Sequence, residues 1–567
     1  MSKISKAVMN HHDNNGNRVV NFMGGVSYTL DPLQSLEMIA SSSIFGEPAY
    51  YRNSGFNSGF PEKHIDVSDL FVSIFDDFAR DHKTTADMMT EAIDKALAYD
   101  FTATLEIAVK LRTIYMMRTN PQIIMVRAAI HPDRQEWTKH NKGKFDLYEN
   151  KVMLRPDEPL VQIAYYMYLN NGSKSRMPSI LKRALSKKIS AFDAYQINKY
   201  KNAEIGMING VRITHASSPE IDELMRTGTI QIPDEKKTWE QIMSEGNKTW
   251  TDIAHMLVNS EIHMGHMALL RNLRNIFSDL DENDSYGREL ILRILVDGVP
   301  NGKQFPFRYY SAYNVIQDST TISSTVKADI LDTLSECIDI SIQNMPKLKG
   351  KTACLSDNSG SAWGSVTSEY GSVTVAIIDN LSSLIAARCS DSGVMVVFGD
   401  KFKEYPVSRR DSLLTQLATC SRSHGSDVGH ATEGGLFTWF KNAIDNRIFY
   451  DNIFIFSDMQ AGTGGLYGEG DVGKLMRESG FAVPSHPRLA YYSRSDIDLV
   501  KLIDRYRQTV NPDVNVFSTQ TAGYDNQLVF PKMGVRQACL YGWTGKEILF
   551  AAEYIRQWNN ILNKNNQ

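Results

Sequence analysis

Cysteine is scarce in this chain: five residues in 567, at Cys337, Cys354, Cys389, Cys420 and Cys539. An odd number of scattered thiols argues against a disulfide framework, none has the close spacing of a zinc site, and buried thiols are expected. Long apolar runs are absent as well. No stretch approaches the ~18 apolar residues of a membrane span, and Met1 to Arg18 has no signal-peptide core, so the expectation is a cytoplasmic protein without a membrane partner. Charge of one sign is not in excess either: 61 Lys and Arg stand against 65 Asp and Glu, a formal net charge of -4. The whole molecule therefore exerts no strong pull on nucleic acid, and any basic surface must be local. Finally, no nucleophile and base or catalytic carboxylate cluster stands out, so no enzyme is expected.

A length of 567 residues exceeds one ordinary core and implies several units. Residues 1–20 are polar, and the doublet His11-His12 reads as solvated tail rather than as a metal site. Residues 21–345 read as almost entirely helical. Leu70, Ile74 and Phe78 share one helical face, Ala86 to Tyr99 and Thr102 to Met117 carry apolar stripes, and Thr119-Asn120-Pro121 is expected to start a helix with Asn as cap. Short helices, short breaks and no strand alternation over some 300 residues predict stacked, HEAT-like helix pairs with degenerate repeats. His263 and His266 lie at i, i+3 without a third ligand nearby, which favours a packed helix over a metal site.

Within this half lies a basic segment. Lys174, Arg176, Lys182, Arg183, Lys187, Lys188, Lys199 and Lys201 stand against the single acid Asp193, with Phe192, Tyr195 and Tyr200 interleaved and Arg212-Ile213-Thr214-His215 following. Such a run is most often a solvated helix face. Its functional reading is phosphate contact by Lys and Arg, with bases stacked on the aromatics.

The architecture changes at Met345 to Lys351, a basic linker with Pro and Gly. Over residues 346–567 strands alternate with helices, which implies a mainly parallel, doubly wound sheet covered on both faces. Strands are expected at Thr352 to Ser356, Val394 to Phe398, around Ile453, at Val514 to Ser518 and at Gln537 to Gly542. Helices are expected over Val375 to Ala387, around Leu413 and Phe440, after a cap at Ser495-Asp496, and over Lys546 to Leu562. Gly468-Glu469-Gly470-Asp471-Val472-Gly473-Lys474 satisfies a phosphate-loop pattern only superficially. Leu475 stands where Ser or Thr would hold Mg²⁺, and Glu469 and Asp471 would repel phosphate, so a Gly-rich loop is the better reading.

The sharpest motif is Asp357-Asn358-Ser359-Gly360-Ser361. Taken alone it is an ordinary turn. Yet it follows an apolar run, and at the carboxyl edge of a sheet Asp357, Ser359 and Ser361 would present three hard oxygens to one point. Thr432 in the loop Gly429 to Gly435 and Asp458 at the end of Asn452 to Ser457 follow in order. Together they resemble the metal-ion-dependent adhesion site of von Willebrand factor A domains, with Mg²⁺ as the expected ion.

A helical half with this basic segment, followed by such an A domain, resembles the Ro autoantigen family of TROVE-domain RNA-binding proteins. The likeness is strongest at Leu111 to Pro121, Phe192 to Lys201, Arg212 to His215, Ala268 to Leu273 and the metal motif. It implies a ring of helical repeats closed by the A domain. Small structured non-coding RNA (Y RNA) would bind an outer basic face, single-stranded ends of misfolded RNA would enter the central hole, and an exoribonuclease or other protein would be reached through the A domain. On that reading Lys182, Arg183, Lys187, Lys188, Lys199, Tyr200, Lys201, Arg212 and His215 contact RNA, while Asp357, Ser359, Ser361, Thr432 and Asp458 hold Mg²⁺. Ala203 departs from the Arg that animal members carry two residues after Lys-Tyr-Lys. Two other readings remain: a protein-interaction scaffold whose bound Mg²⁺ captures a partner's acidic side chain, and a metal-dependent hydrolase, for which no general base is evident.

Overall fold

A computed structural model describes residues 18–20, 26–41, 85–170, 173, 176–200, 206–228, 230, 237–246, 248–364, 373–422, 428–459, 461, 471–484, 495–521, 528–529, 533–541 and 545–565. The helix expected around Leu70 to Phe78, the doublet His11-His12, and Lys174 and Lys201 lie outside these residues.

Among the described residues the first half is helical between Pro32 and Ser341, apart from a short antiparallel pair ahead of it. That pair joins β1 (Arg18–Val20) to β2 (Val26–Tyr28), so a strand occupies the end of the segment read as tail. Asp100 separates the helices Thr85–Tyr99 and Phe101–Thr113 by capping the second one, its carboxylate accepting from the Ala103 amide at 2.9 Å. Helix Thr119–Ile130 starts where its Pro predicts, but Asn120 is not the cap. Asn120 is buried in the first turn and its amide donates to the Ala40 carbonyl at 2.7 Å, tying this helix to the end of Pro32–Ala40. A buried side-chain amide finds a partner where it can, and here the partner lies 80 positions away.

The second half is one six-stranded sheet in the order β10-β9-β6-β3-β4-β5, with helices between the strands. Its members are β3 (Leu348–Asp357), β4 (Ser390–Phe398), β5 (Phe402–Pro406), β6 (Asn452–Ser457), β9 (Asn515–Gln520) and β10 (Gln537–Tyr541). All neighbours pair in parallel except β5, an antiparallel edge strand on β4. Every residue of β6 and β9 and the last six of β3 are buried, which requires cover on both faces and explains why these strands read as continuous apolar runs rather than alternating ones. A small hairpin of β7 (Ala482–Pro484) and β8 (Ser495–Ile497) stands apart. Ser495 and Asp496 therefore belong to a strand and do not cap the following helix. Asp498 does, its carboxylate accepting from the Lys501 amide. Asp471 to Lys474 likewise form the start of a helix, Asp471–Glu478, rather than a loop.

The two halves close on each other. Glu37 in helix Pro32–Ala40 accepts from Tyr115 at 3.0 Å, from Tyr554 of the last helix at 2.6 Å, and from Lys110. Gln34 of the same helix exchanges two hydrogen bonds with the backbone of Met533. At the other end of the helical half, Arg388 of helix Val375–Cys389 pairs with Asp339 of helix Ser324–Ser341 at 2.5 Å. Helices Pro32–Ala40 and Ser324–Ser341, near the two ends of the helical half, thus both dock on the α/β half, in keeping with the expected ring.

Candidate metal centre and nucleic-acid interface

From β3 the chain crosses to β4 and β5 on one side, then returns to build β6, β9 and β10 on the other. The order of strands reverses between β3 and β6, and a crevice opens at their carboxyl ends, where open α/β sheets place ligands. β3 ends at Asp357 and β6 at Ser457, with Asp458 next. Asp357 is fully buried; its Oδ1 accepts from the Ser359 amide at 2.9 Å and its Oδ2 from the Ser457 hydroxyl at 2.6 Å. The Ser359 and Ser361 hydroxyl oxygens lie 3.2 Å apart. The Gly360 amide donates to the His430 carbonyl at 2.9 Å, which draws the loop carrying Thr432 onto the motif. Asp400 shapes that loop by accepting from the amides of His430 and Ala431. Gly429 is needed there: its φ is +86°, and a Cβ would fall on the Asp400 carboxylate. Thr432 is buried at the start of helix Glu433–Asp445, and its hydroxyl makes no capping bond.

The electrostatics are those of a place short of positive charge. Burial raises the Asp357 carboxyl, against the hydrogen bonds from Ser359 and Ser457. Asp379, in helix Val375–Cys389, is raised well above the carboxylate range, first by burial and then by the charges of Asp357 and Asp458. Among the described residues neither Asp357 nor Asp379 forms an ion pair, and both oxygens of Asp379 are buried without a hydrogen bond. The Asp357 carboxylate and the hydroxyls of Ser359 and Ser361 are oxygen donors of the kind a hard cation takes, although among the described residues no three His, Cys, Asp or Glu side chains form a group that could hold a metal ion. Asp379 was not singled out in the sequence. The available signal was an acid, Asp379, in a mostly apolar helix that is buried apart from Ile377.

The basic segment spreads over three consecutive helices. Ser179–Ile189 buries Ile180, Leu181, Ala184, Leu185 and Ile189, leaving Arg183 and Lys187 exposed and Lys182 and Lys188 half-buried. Asp146 bridges the two exposed cations, 3.0 Å from Arg183 and 3.9 Å from Lys187. In Ala194–Lys199, Lys199 lies 3.5 Å from Glu240 and over the Tyr195 ring. Burial would lower its pKa, but Glu240 and Tyr195 outweigh that and raise it, so Lys199 stays charged. The half-buried Tyr200 accepts from Arg155 at 3.1 Å. Helix Met207–Thr214 packs close through Gly210, where a Cβ would sit 2.7 Å from Leu160 Cδ2, and leaves Arg212 exposed. His215 ends that helix through its backbone, with φ +61°, while its side chain is exposed. Ser217 donates to Ser190 Oγ at 3.0 Å, so His215 lies near the carboxyl end of Ser179–Ile189.

The expectation of a packed helix carrying both histidines holds only for His266, the first residue of helix His266–Asp279; His263 precedes the helix. His263 is exposed, whereas His266 bonds Tyr309 at 2.6 Å and packs against Gly298 and Gly302, with burial lowering its pKa.

No family model matches the chain, and no curated protein matches it. Among solved structures, the crystal structure of the Ro (RSR) protein of Deinococcus radiodurans is similar, with a TM-score of 0.56 at 15% identity over 84% of this chain and 95% of that one. At this identity the likeness is one of fold. A helical half closed by a mainly parallel α/β domain is the architecture that the two chains share.

Proposed function

We propose that this chain is a non-enzymatic, Ro-like RNA-binding protein that holds small structured RNA on the outer face formed by helices Ser179–Ile189, Ala194–Lys199 and Met207–Thr214. The observation that carries the reading is the exposure of Arg183, Lys187, Arg212 and His215 on neighbouring helices of a Ro-type fold. The pairs with Asp146 and Glu240 do not count against it. Exposed ion pairs are worth about 0–1 kcal/mol, so a phosphate displaces the carboxylate readily. The half-buried Tyr200 and exposed His215 supply a ring and a ring nitrogen for base stacking or phosphate contact. Single-stranded ends of misfolded RNA enter the ring, and the A-type domain carries one Mg²⁺ on Asp357, Ser359, Ser361, Thr432 and Asp458. Bound there, the ion would fix the crevice loops in place.

Sequencing RNA that co-purifies with the chain tests the proposal. Enrichment of small structured RNA is expected, and recovery of RNA in proportion to the total pool would refute it. Lys199→Ala with Lys201→Ala should weaken every retained RNA about equally, because phosphate contacts carry no sequence information. Asp357→Ala should leave RNA binding intact.

A further inference from the structure

The basic face adjoins a second group of cations that come from earlier in the chain. At the start of helix Glu158–Leu169 the buried Glu158 carboxylate accepts from the amides of Leu154 at 2.5 Å and Arg155 at 2.7 Å, which fixes the backbone of Arg155. The buried Arg112 lies 2.8 Å from the other oxygen of Glu158, so these two charges match each other inside the fold. Asp157 serves a different pair. Its Oδ1 accepts from Arg155 Nε at 3.0 Å and its Oδ2 from Arg118 at 2.6 Å, so one carboxylate bridges two guanidiniums. Arg155 also donates to the Tyr200 hydroxyl at 3.1 Å, and both Arg155 and Lys199 act on that hydroxyl electrostatically. The arginine pair therefore sits against the end of helix Ala194–Lys199, within the basic face.

A cluster that served packing alone would be closed off, as Arg112 and Glu158 are. Arg155 and Arg118 are open instead, with 44% and 32% of their side chains exposed. Asp157 and Tyr200 engage two of the five N–H groups of Arg155, and among the described residues its Nη1 has no acceptor. A guanidinium held at two points with donors still facing water is pre-organised for an anion, and a planar fork suits phosphate oxygens.

We propose that Arg155, with Arg118 beside it, forms a phosphate-binding subsite at the edge of the RNA face and takes one backbone phosphate of the bound RNA. This rests on reading helices Ser179–Ile189, Ala194–Lys199 and Met207–Thr214 as that face. Because one carboxylate already bridges the two guanidiniums, a single phosphate can reach both. The subsite carries the RNA footprint beyond the basic segment to residues that precede it in the chain.

The test is filter binding of a labelled RNA hairpin with a single-stranded 3′ tail to the full chain over a salt series, together with thermal melting, for wild type, Arg155→Ala and Arg155→Lys. Arg155→Ala should weaken the hairpin about 5- to 10-fold at low salt and flatten the log-log salt slope by about one, the mark of one lost phosphate contact. Arg155→Lys keeps the charge and should keep the slope, while loss of the fork leaves its affinity below wild type. Arg155→Gln is read in place of alanine if the alanine variant does not fold. Wild-type affinity and slope in folded Arg155→Ala, whatever its melting temperature, overturn the subsite and leave the RNA face standing. A wild type that does not bind the hairpin, or binds it without a salt slope, overturns the RNA face and the subsite with it.

Discussion

Glu149 makes the stability of the helical half depend on pH. It lies on helix Lys144–Val152, fully buried, where its Oε2 accepts from Gln162 Nε2 at 2.8 Å. The same amide donates to Gln122 at 2.8 Å, and Gln122 donates to the Val152 carbonyl at 3.1 Å. Glu149 Oε1 and Gln162 Oε1 have no partner. Burial pushes the Glu149 carboxyl up to about 8 from 4.5, with Gln162 opposing and Asp146 adding to the rise. Because the folded value is above the unfolded one, the unfolded chain gives up this proton first. The contribution is therefore constant below about pH 4, declines as pH rises to about 8, and is constant again above that. At about 1.4 kcal/mol per pH unit, the decline amounts to at most about 5 kcal/mol. Glu149→Gln keeps the shape, carries no charge, and leaves an oxygen to accept from Gln162 Nε2. Thermal unfolding at about pH 5 and about pH 8 should show the wild type losing more stability than the variant, which should be clearly the more stable at the higher pH. Parallel pH profiles for the two proteins would refute the reasoning.

Glu37→Ala strips the acceptor shared by Lys110, Tyr115 and Tyr554. It should cost about 2–5 kcal/mol, since the buried Tyr115 and Tyr554 lose their acceptor, and a loss below about 1 kcal/mol in thermal unfolding would show that ring closure does not depend on it. Asp146→Asn frees Arg183 and Lys187, and should tighten RNA binding about 2- to 10-fold at low salt; unchanged affinity in filter binding would place those cations off the RNA path. His215→Asn suits a position at φ +61°, since Asn tolerates that region, and should weaken structured RNA without lowering the melting temperature. A drop in melting temperature with RNA binding intact would make His215 a structural residue.

Where local chemistry decides, the sequence was legible. The apolar runs ending at Asp357 and Ser457 read as strands because each is buried on both faces, and the reversal of strand order between them put Asp357 and Asp458 in one crevice. Asp100 read as a break and caps the next helix. What depends on distant partners was not legible. Asn120 looked like a cap but bonds Ala40, and the partner of Arg183 and Lys187 is Asp146, more than thirty residues away, which no local pattern announces. β5 escaped notice because an exposed edge strand of five residues, Phe402–Pro406, has neither the length nor the burial of its neighbours. Asp379 escaped because helical periodicity reports a face, whereas the charges that act on it, Asp357 and Asp458, come from two strand ends far away in sequence.

In the proposed function RNA is held on the face of helices Ser179–Ile189 and Met207–Thr214 by phosphate contacts. Its most direct test is filter binding of one small structured RNA to the full chain over a salt series, for wild type and for an Arg183→Ala, Lys187→Ala, Arg212→Ala variant shown by thermal melting to be folded. A steep fall of log affinity with log salt is expected for wild type, and for the variant weaker binding with a slope shallower by about two to three. Equal affinity and equal slope for the two proteins would contradict it.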